Sequence, residues 1–228
     1  MDVGMYQAVR GFHQQRQRFE TIANNLANAG TVGFKKDVFS IDEGHRERTR
    51  VDLSPGGTRH TNNPLDLALE GEGFFEVETA FGRRFTRNGN FSLNAQGVLV
   101  NQNGDPVLGE RGRITLEGDD IRIDASGEVV VNGESVDRLS VVAFDNVDAL
   151  RKEGLNRYTY NEEQGQILRA PEEVRVQQGY LEQSNVIVVE EMVRMVEALR
   201  AYESFQKVLQ SLDEANLKSI NEVGKLQA

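Results

Sequence analysis

The chain is 228 residues long, enough for one or two domains with real cores, and its 26 basic against 36 acidic residues give a formal net charge of −10. That balance, with no cluster of Lys and Arg interleaved with aromatics, argues against a nucleic-acid partner, and the short apolar runs argue against membrane insertion. Cysteine is absent, which suits a cytoplasmic protein and equally a chain that must cross a membrane unfolded and reduced.

The N-terminus lacks a basic stretch followed by an apolar core, so no Sec-type cleavable signal is expected. Met5, Phe12, Phe19 and Leu26 recur every seven residues, with Val9 and Ala23 between them and Arg16 as the polar exception. This period predicts a helix with a narrow apolar seam. It runs into Asn24-Asn25-Leu26-Ala27-Asn28 and stops near Gly30 and Gly33. The three asparagines lower helix propensity and place amides within reach of neighbouring chains; a fraying helix end is the plain alternative.

Residues 37–61 read as a polar connector with extended or irregular backbone, broken at Ser54-Pro55-Gly56-Gly57. From Thr61 the pattern changes to short strands. Leu67-Ala68-Leu69 leads into an alternating Phe74-Phe75-Glu76-Val77, and glycines then recur every six to nine residues from Gly82 to Gly133. Asn88-Gly89, Asn103-Gly104 and Asn132-Gly133 carry hairpin-turn chemistry, and Phe91-Ser92-Leu93, Val98-Leu99-Val100, Ile121-Arg122-Ile123 and Val129-Val130-Val131 lie between turns. The pattern predicts an antiparallel all-β domain. A further strand is expected over 139–144, a helical turn at Asp148-Ala149-Leu150-Arg151, and a strand at Val174-Arg175-Val176.

The last fifth of the chain carries a second seam. Val188, Met192, Met195, Leu199, Tyr202 and Leu209 alternate steps of four and three, with Gln206 as the polar interruption; Leu212, Ile220 and Val223 extend the stripe and Phe205 widens it. Glu190 before Arg194 and Glu203 before Lys207 support the exposed face. A helix of about 38 residues is about 57 Å long, too long for the interior of one compact domain of this size. The fold class expected is α+β: N- and C-terminal helices pairing as a coiled coil outside a central antiparallel β domain. The domains expected are residues 1–36 with 180–228, a connector at 37–61, and a β domain at 62–179.

Chemistry is sparse. His13, His45 and His60 are scattered with no ligand spacing, so no metal site is expected. Gly71-x-Gly73 enters a strand rather than opening a helix, and neither a P-loop nor a Gly-x-Ser-x-Gly elbow is present. The pairs Asp119-Asp120 and Glu162-Glu163 lie in polar turns. No catalytic residue, cofactor or enzyme activity is expected.

Four stretches, in order, carry a resemblance. These are Ile22-Ala23-Asn24-Asn25-Leu26-Ala27-Asn28-Ala29 with Gly33-Phe34-Lys35-Lys36; Thr61-Asn62-Asn63-Pro64-Leu65-Asp66-Leu67-Ala68-Leu69-Glu70-Gly71-Glu72-Gly73-Phe74-Phe75; Phe85-Thr86-Arg87-Asn88-Gly89-Asn90-Phe91; and Gln178-Gly179-Tyr180-Leu181-Glu182-Gln183-Ser184-Asn185-Val186 with Arg200-Ala201-Tyr202-Glu203. Together they resemble the signatures of flagellar rod and hook proteins. The short length, Met1-Asp2 with Tyr6, and Pro106-Val107-Leu108-Gly109-Glu110 look like the proximal-rod type, with the distal-rod type as the alternative.

The resemblance implies a structural subunit of the flagellar basal body that is exported unfolded by the flagellar type III apparatus and polymerises with other rod subunits into a torque-transmitting shaft. Its terminal helices would form the inner tube, with the β domain outside. The assembly interface expected is Met5, Phe12, Phe19, Leu26, Asn24, Asn25, Asn28, Val188, Met192, Met195, Leu199, Tyr202 and Leu209. Phe34-Lys35-Lys36-Asp37-Val38 is a candidate export signal, with connector packing as its alternative. The competing classes are a β binding module with a dimerising coiled coil, and a wall hydrolase, for which no catalytic constellation exists.

Overall fold

The structure, a computed structural model, describes residues 3–42, 46–118, 120–169 and 173–225, without the side chains at 3, 213, 215–217 and 219–225. Met1, Asp2, His45 and Asp119, and the side chains of Ile220 and Val223, all singled out above, therefore lie outside the described residues. Helix α1 spans Val3–Ala27 and helix α2 spans Val188–Lys225. Between them every strand pairing is antiparallel among the described residues, so the chain is α+β.

The chain forms two compact units. One holds α1, the segment Asp37–Val51 and the chain from Val186; the other holds Asn28–Lys36 and Asp52–Asn185.

In the first unit α1 and α2 run antiparallel. Asn25 lies against Glu191 near one end, and Phe12 meets Tyr202 with ring centroids 4.6 Å apart further along. At Gly11 a Cβ would stand 2.4 Å from the Phe205 ring, so the helices come close only because that side chain is missing. Ala8, Ile22, Asn25, Glu191 and Ala198 are buried, while Met5, Phe12, Phe19, Met195, Tyr202, Phe205, Leu209 and Leu212 are half-buried. Small residues at 8, 11 and 198 leave space for the facing rings. Asp37–Ile41 pairs with Glu47–Val51 as a hairpin, inside the stretch expected to be a polar connector. Val38 and Phe39 are adjacent in the first strand and Val51 is the one apolar residue of the second, so no strand alternation shows in the sequence.

The second unit is built on a six-stranded sheet. Its order is Leu150–Gly154, Arg157–Tyr160, Gly82–Thr86, Phe74–Thr79, Val141–Phe144, Ile167–Arg169. A three-stranded sheet (Ile121–Ile123, Glu128–Val131, Glu134–Arg138) lies beside shorter pairs: Leu67–Glu70 with Arg175–Gln178, Thr58–His60 with Tyr180–Glu182, Phe91–Leu93 with Leu99–Asn101, and Leu108–Gly109 with Gly112–Arg113. Alternate residues of these strands make one core around Leu67, Phe75, Val77, Phe91, Leu99 and Val129. Each such side chain stabilises the fold by roughly 1.5–3 kcal/mol relative to exposure.

Two of the Asn-Gly pairs turn the chain as expected. Asn132 and Gly133 both have positive φ (52° and 88°) between the paired Val131 and Glu134, and Gly104 (φ 82°) closes the turn that starts at Asn101. Asn88-Gly89 does something else. Leu67 donates its amide to the Gly89 carbonyl at 2.9 Å, and a Cβ on Gly89 would lie 1.8 Å from the Leu67 oxygen. Glycine is needed there for close backbone approach, not for a hairpin. The helical turn expected at 148–151 is a 3-10 turn at Val147–Ala149, capped by the Asn146 side chain.

Candidate functional site: a buried ionic cluster and the faces of the terminal helices

Lys35, Arg87 and Glu182 sit together inside the second unit, each buried. The Lys35 Nζ is 2.6 Å from Glu182 Oε1 and donates to the Ser54 carbonyl at 2.8 Å. Arg87 Nε donates to Glu182 Oε2 at 2.8 Å, and its Nη1 reaches the carbonyls of Gly71 (3.0 Å) and Gly73. Glu182 Oε1 also accepts the Gly56 amide at 3.0 Å. Two cations share one carboxylate, and each also donates to backbone carbonyls. Burial, chiefly, and the neighbouring Arg87 charge hold the Lys35 ammonium below its ordinary value against the opposing pull of Glu182.

The surrounding bonds fasten two distant stretches of chain side by side. Gly33 donates to the Glu182 carbonyl at 2.7 Å, and the Asn185 side chain accepts from the Lys36 amide at 2.7 Å while donating to the Asp52 carbonyl at 2.9 Å. Lys152 lies 4.1 Å from the Phe34 ring centroid and donates to the Lys35 carbonyl at 2.6 Å. The segment that follows α1 and the segment that precedes α2 are thereby held in one register within the β unit.

In the first unit the asparagines act within the chain. Asn25 is buried; it donates to the Asp37 carbonyl and accepts from the Asp37 amide, both at 2.8 Å, copying a strand pairing with a side chain. Asn24 donates to Asp37 Oδ2 at 3.2 Å. Asn28, in the second unit, accepts from the Thr31 hydroxyl at 3.1 Å.

The seam residues divide between two faces. Met5, Phe12, Phe19, Leu26, Met195, Tyr202 and Leu209 are half-buried. Val188, Met192 and Leu199 are exposed, Met192 by 51 % and Leu199 by 45 %. The packed seam of α2 instead uses Glu191 and Ala198, a shift of one position from Met192 and Leu199. On α1, likewise, Ala8 and Ile22 are buried while Val9 and Arg16 are exposed. Choosing the largest apolar side chains gave the right period with half of each seam displaced by one residue. The close approach selects small side chains, and the larger ones stay outside.

The family comparisons bear on these same segments. Residues 5–35 match the model described as flagella basal body rod protein, residues 68–131 match the flagellar hook protein FlgE/F/G D1 domain, and residues 177–222 match the flagellar basal body rod FlgEFG protein C-terminal model. The flagellar basal-body rod protein FlgF of Caulobacter vibrioides is 31 % identical over 249 residues, covering 99 % of this chain and 100 % of that protein. FlgF of Salmonella typhimurium is 35 % identical, covering 94 % and 95 %. The chain belongs to the flagellar basal-body rod family.

Within it the chain is a FlgF-type rod protein, a structural, non-enzymatic subunit of the flagellar basal body. The basal-body rod protein FlgG of Bacillus subtilis matches at 28 % over 95 % of this chain and 97 % of its own length, which does not favour the distal-rod alternative. The buried cluster takes one charged residue from each of the three matched segments of the rod protein: Lys35, Arg87 and Glu182. All three stand inside the resembling stretches, and of the three only Lys35 is singled out there, within the candidate export signal. Phe34 before Lys35 and Tyr180-Leu181 before Glu182 are the local signal; Arg87, between Thr86 and Asn88, has none.

Proposed function

We propose that this rod protein polymerises through its terminal helices into a segment of the axial drive shaft that passes torque to the hook and filament. One observation carries the reading. Val189, Met192, Val193, Val196 and Leu199 form an exposed apolar stripe over three turns of α2, a surface that a subunit keeps only if something covers it. The 4-3 spacing of the packed residues supports a coiled-coil pairing of α1 and α2. The proposed assembly interface is the set Met5, Phe12, Phe19, Leu26, Asn24, Asn25, Asn28, Val188, Met192, Met195, Leu199, Tyr202 and Leu209, its neighbours being proximal- and distal-rod proteins.

Delivery unfolded through the flagellar type III export apparatus is part of the same reading. A chain with no Cys crosses without risk of disulfide formation. Phe34 and Lys35 are buried in the folded chain, so a signal at Phe34-Lys35-Lys36-Asp37-Val38 is readable only before folding. The test is deletion of the gene and isolation of basal bodies. Rods that stop short, restored by the wild-type chain, support the reading; full-length rods in the deletion strain overturn it.

A further inference from the structure

Sulfur in this chain is confined to four methionines, because Cys is absent, and there is no Trp. A peroxide therefore finds thioethers as its readiest targets. Three of the four lie within the described residues, and the fold treats them differently. Met5 on α1 and Met195 on α2 are half-buried, whereas Met192 is 51 % exposed. Residues three and four positions apart are neighbours on a helix surface. At those distances from Met192 stand Val188, Val189 and Val196, exposed by 38, 72 and 50 %. Met192 thus sets an open, oxidisable sulfur in the middle of the apolar stripe of α2.

We propose that Met192 is an oxidation site whose state decides whether the α2 stripe is competent for assembly. In the free chain the Met192 Sδ lone pair attacks one oxygen of hydrogen peroxide. An S–O bond forms, the O–O bond breaks, and the proton of the transferred oxygen passes to the other, which leaves as water. The sulfur is oxidised by two electrons and the peroxide is reduced. The sulfoxide is polar where the thioether was apolar and adaptable. Water satisfies it on the free chain, but a neighbour packed against the surrounding valines leaves it unpaired, at a cost. An oxidised subunit is therefore shut out of the rod, and an assembled one is shielded by whatever covers the stripe. Methionine sulfoxide reductases reverse the change. This rests on the assembly reading above and adds a chemical control to it.

The test has two readouts. The purified full-length chain and isolated basal bodies are exposed to dilute hydrogen peroxide, and the sulfoxide at each methionine is followed by mass spectrometry. Met192 is expected to oxidise before Met5 and Met195 in the free chain and to be protected in basal bodies. Cells carrying only Met192→Gln, a polar side chain of similar length, or only Met192→Leu are then scored for rod assembly. Met192→Leu is expected to assemble like the wild type. Met192→Gln is expected to assemble about tenfold less or worse, as for covering an unpaired polar group, while thermal melting of both free chains stays unchanged. Met192→Gln assembling normally, Met192→Leu failing, or Met5 or Met195 oxidising first each overturns the proposal and leaves the assembly reading standing. Met192 oxidising as fast in basal bodies as in the free chain shows an uncovered stripe and overturns both.

Discussion

Lys35 and Glu182 are 147 positions apart in the chain and meet at 2.6 Å with both side chains buried. An ion pair in that position adds little net stability against an apolar substitute, because both charges lose their hydration. Removing one partner is different. Glu182→Gln keeps the shape but leaves Lys35 and Arg87 without a counter-charge, and is expected to cost about 3–5 kcal/mol. Denaturant unfolding measures it, with the exposed Glu190→Gln as control. A loss under about 1 kcal/mol, the ordinary size of a point-mutant effect, shows that the carbonyls around the cluster suffice.

The same cluster sets a pH dependence. The folded-state value of Lys35 lies below its ordinary 10.5, from burial first and opposed by Glu182. The unfolded chain therefore holds this proton more tightly, and the Lys35 contribution to stability rises with pH between the folded value and 10.5. NMR titration of the Lys35 ammonium is expected to show a midpoint below 10.5, moving lower still in Glu182→Gln. A midpoint at or above 10.5 shows that Glu182 outweighs burial and the Arg87 charge.

Asp145 gives an acid-side counterpart. The Tyr160 hydroxyl donates to Asp145 Oδ1 at 2.7 Å, and this bond, with the Gln166 amide, holds the carboxyl below its ordinary 3.8. The stabilisation is present above 3.8 and is lost as pH falls through the folded value. Tyr160→Phe is expected to raise the Asp145 midpoint toward 3.8, read by carboxyl carbon titration; an unchanged midpoint shows that the backbone amides alone depress it.

Two glycines of α1 separate helix propensity from helix packing. Gly4 has open space around its missing side chain, so Gly4→Ala is expected to stabilise by up to about 1 kcal/mol. Gly11→Leu drives a side chain into the Phe205 ring and is expected to cost about 1–3 kcal/mol. Hydrogen exchange across residues 5–26 reads both. Equal protection in the two variants means that α1 and α2 are not packed in the free chain.

Leu199 and Ala198 are neighbours with opposite roles. Leu199 is 45 % exposed and Ala198 is wholly buried. Leu199→Ala is expected to leave thermal melting of the free chain nearly unchanged while impairing rod assembly and swimming. Ala198→Leu overfills the packed seam and is expected to lower stability by about 1–3 kcal/mol. Normal swimming with Leu199→Ala removes that side chain from the assembly surface.

The sequence by itself determined the period of both helices, the antiparallel β character and most strand positions, because these depend on local alternation and on turn residues such as Asn132-Gly133. Its quoted motifs also marked Lys35, Arg87 and Glu182 without explaining them. Only the tertiary structure decided which residues of each seam turn inward, because that depends on how closely two helices approach at Gly11 and Ala198. It alone paired Asp37–Ile41 with Glu47–Val51, and brought three charges from distant segments into one buried cluster. Periodicity is written within about two turns of chain. Counter-charges that satisfy one another across 147 residues leave no local pattern, since each is stable in its place only once the other two have arrived.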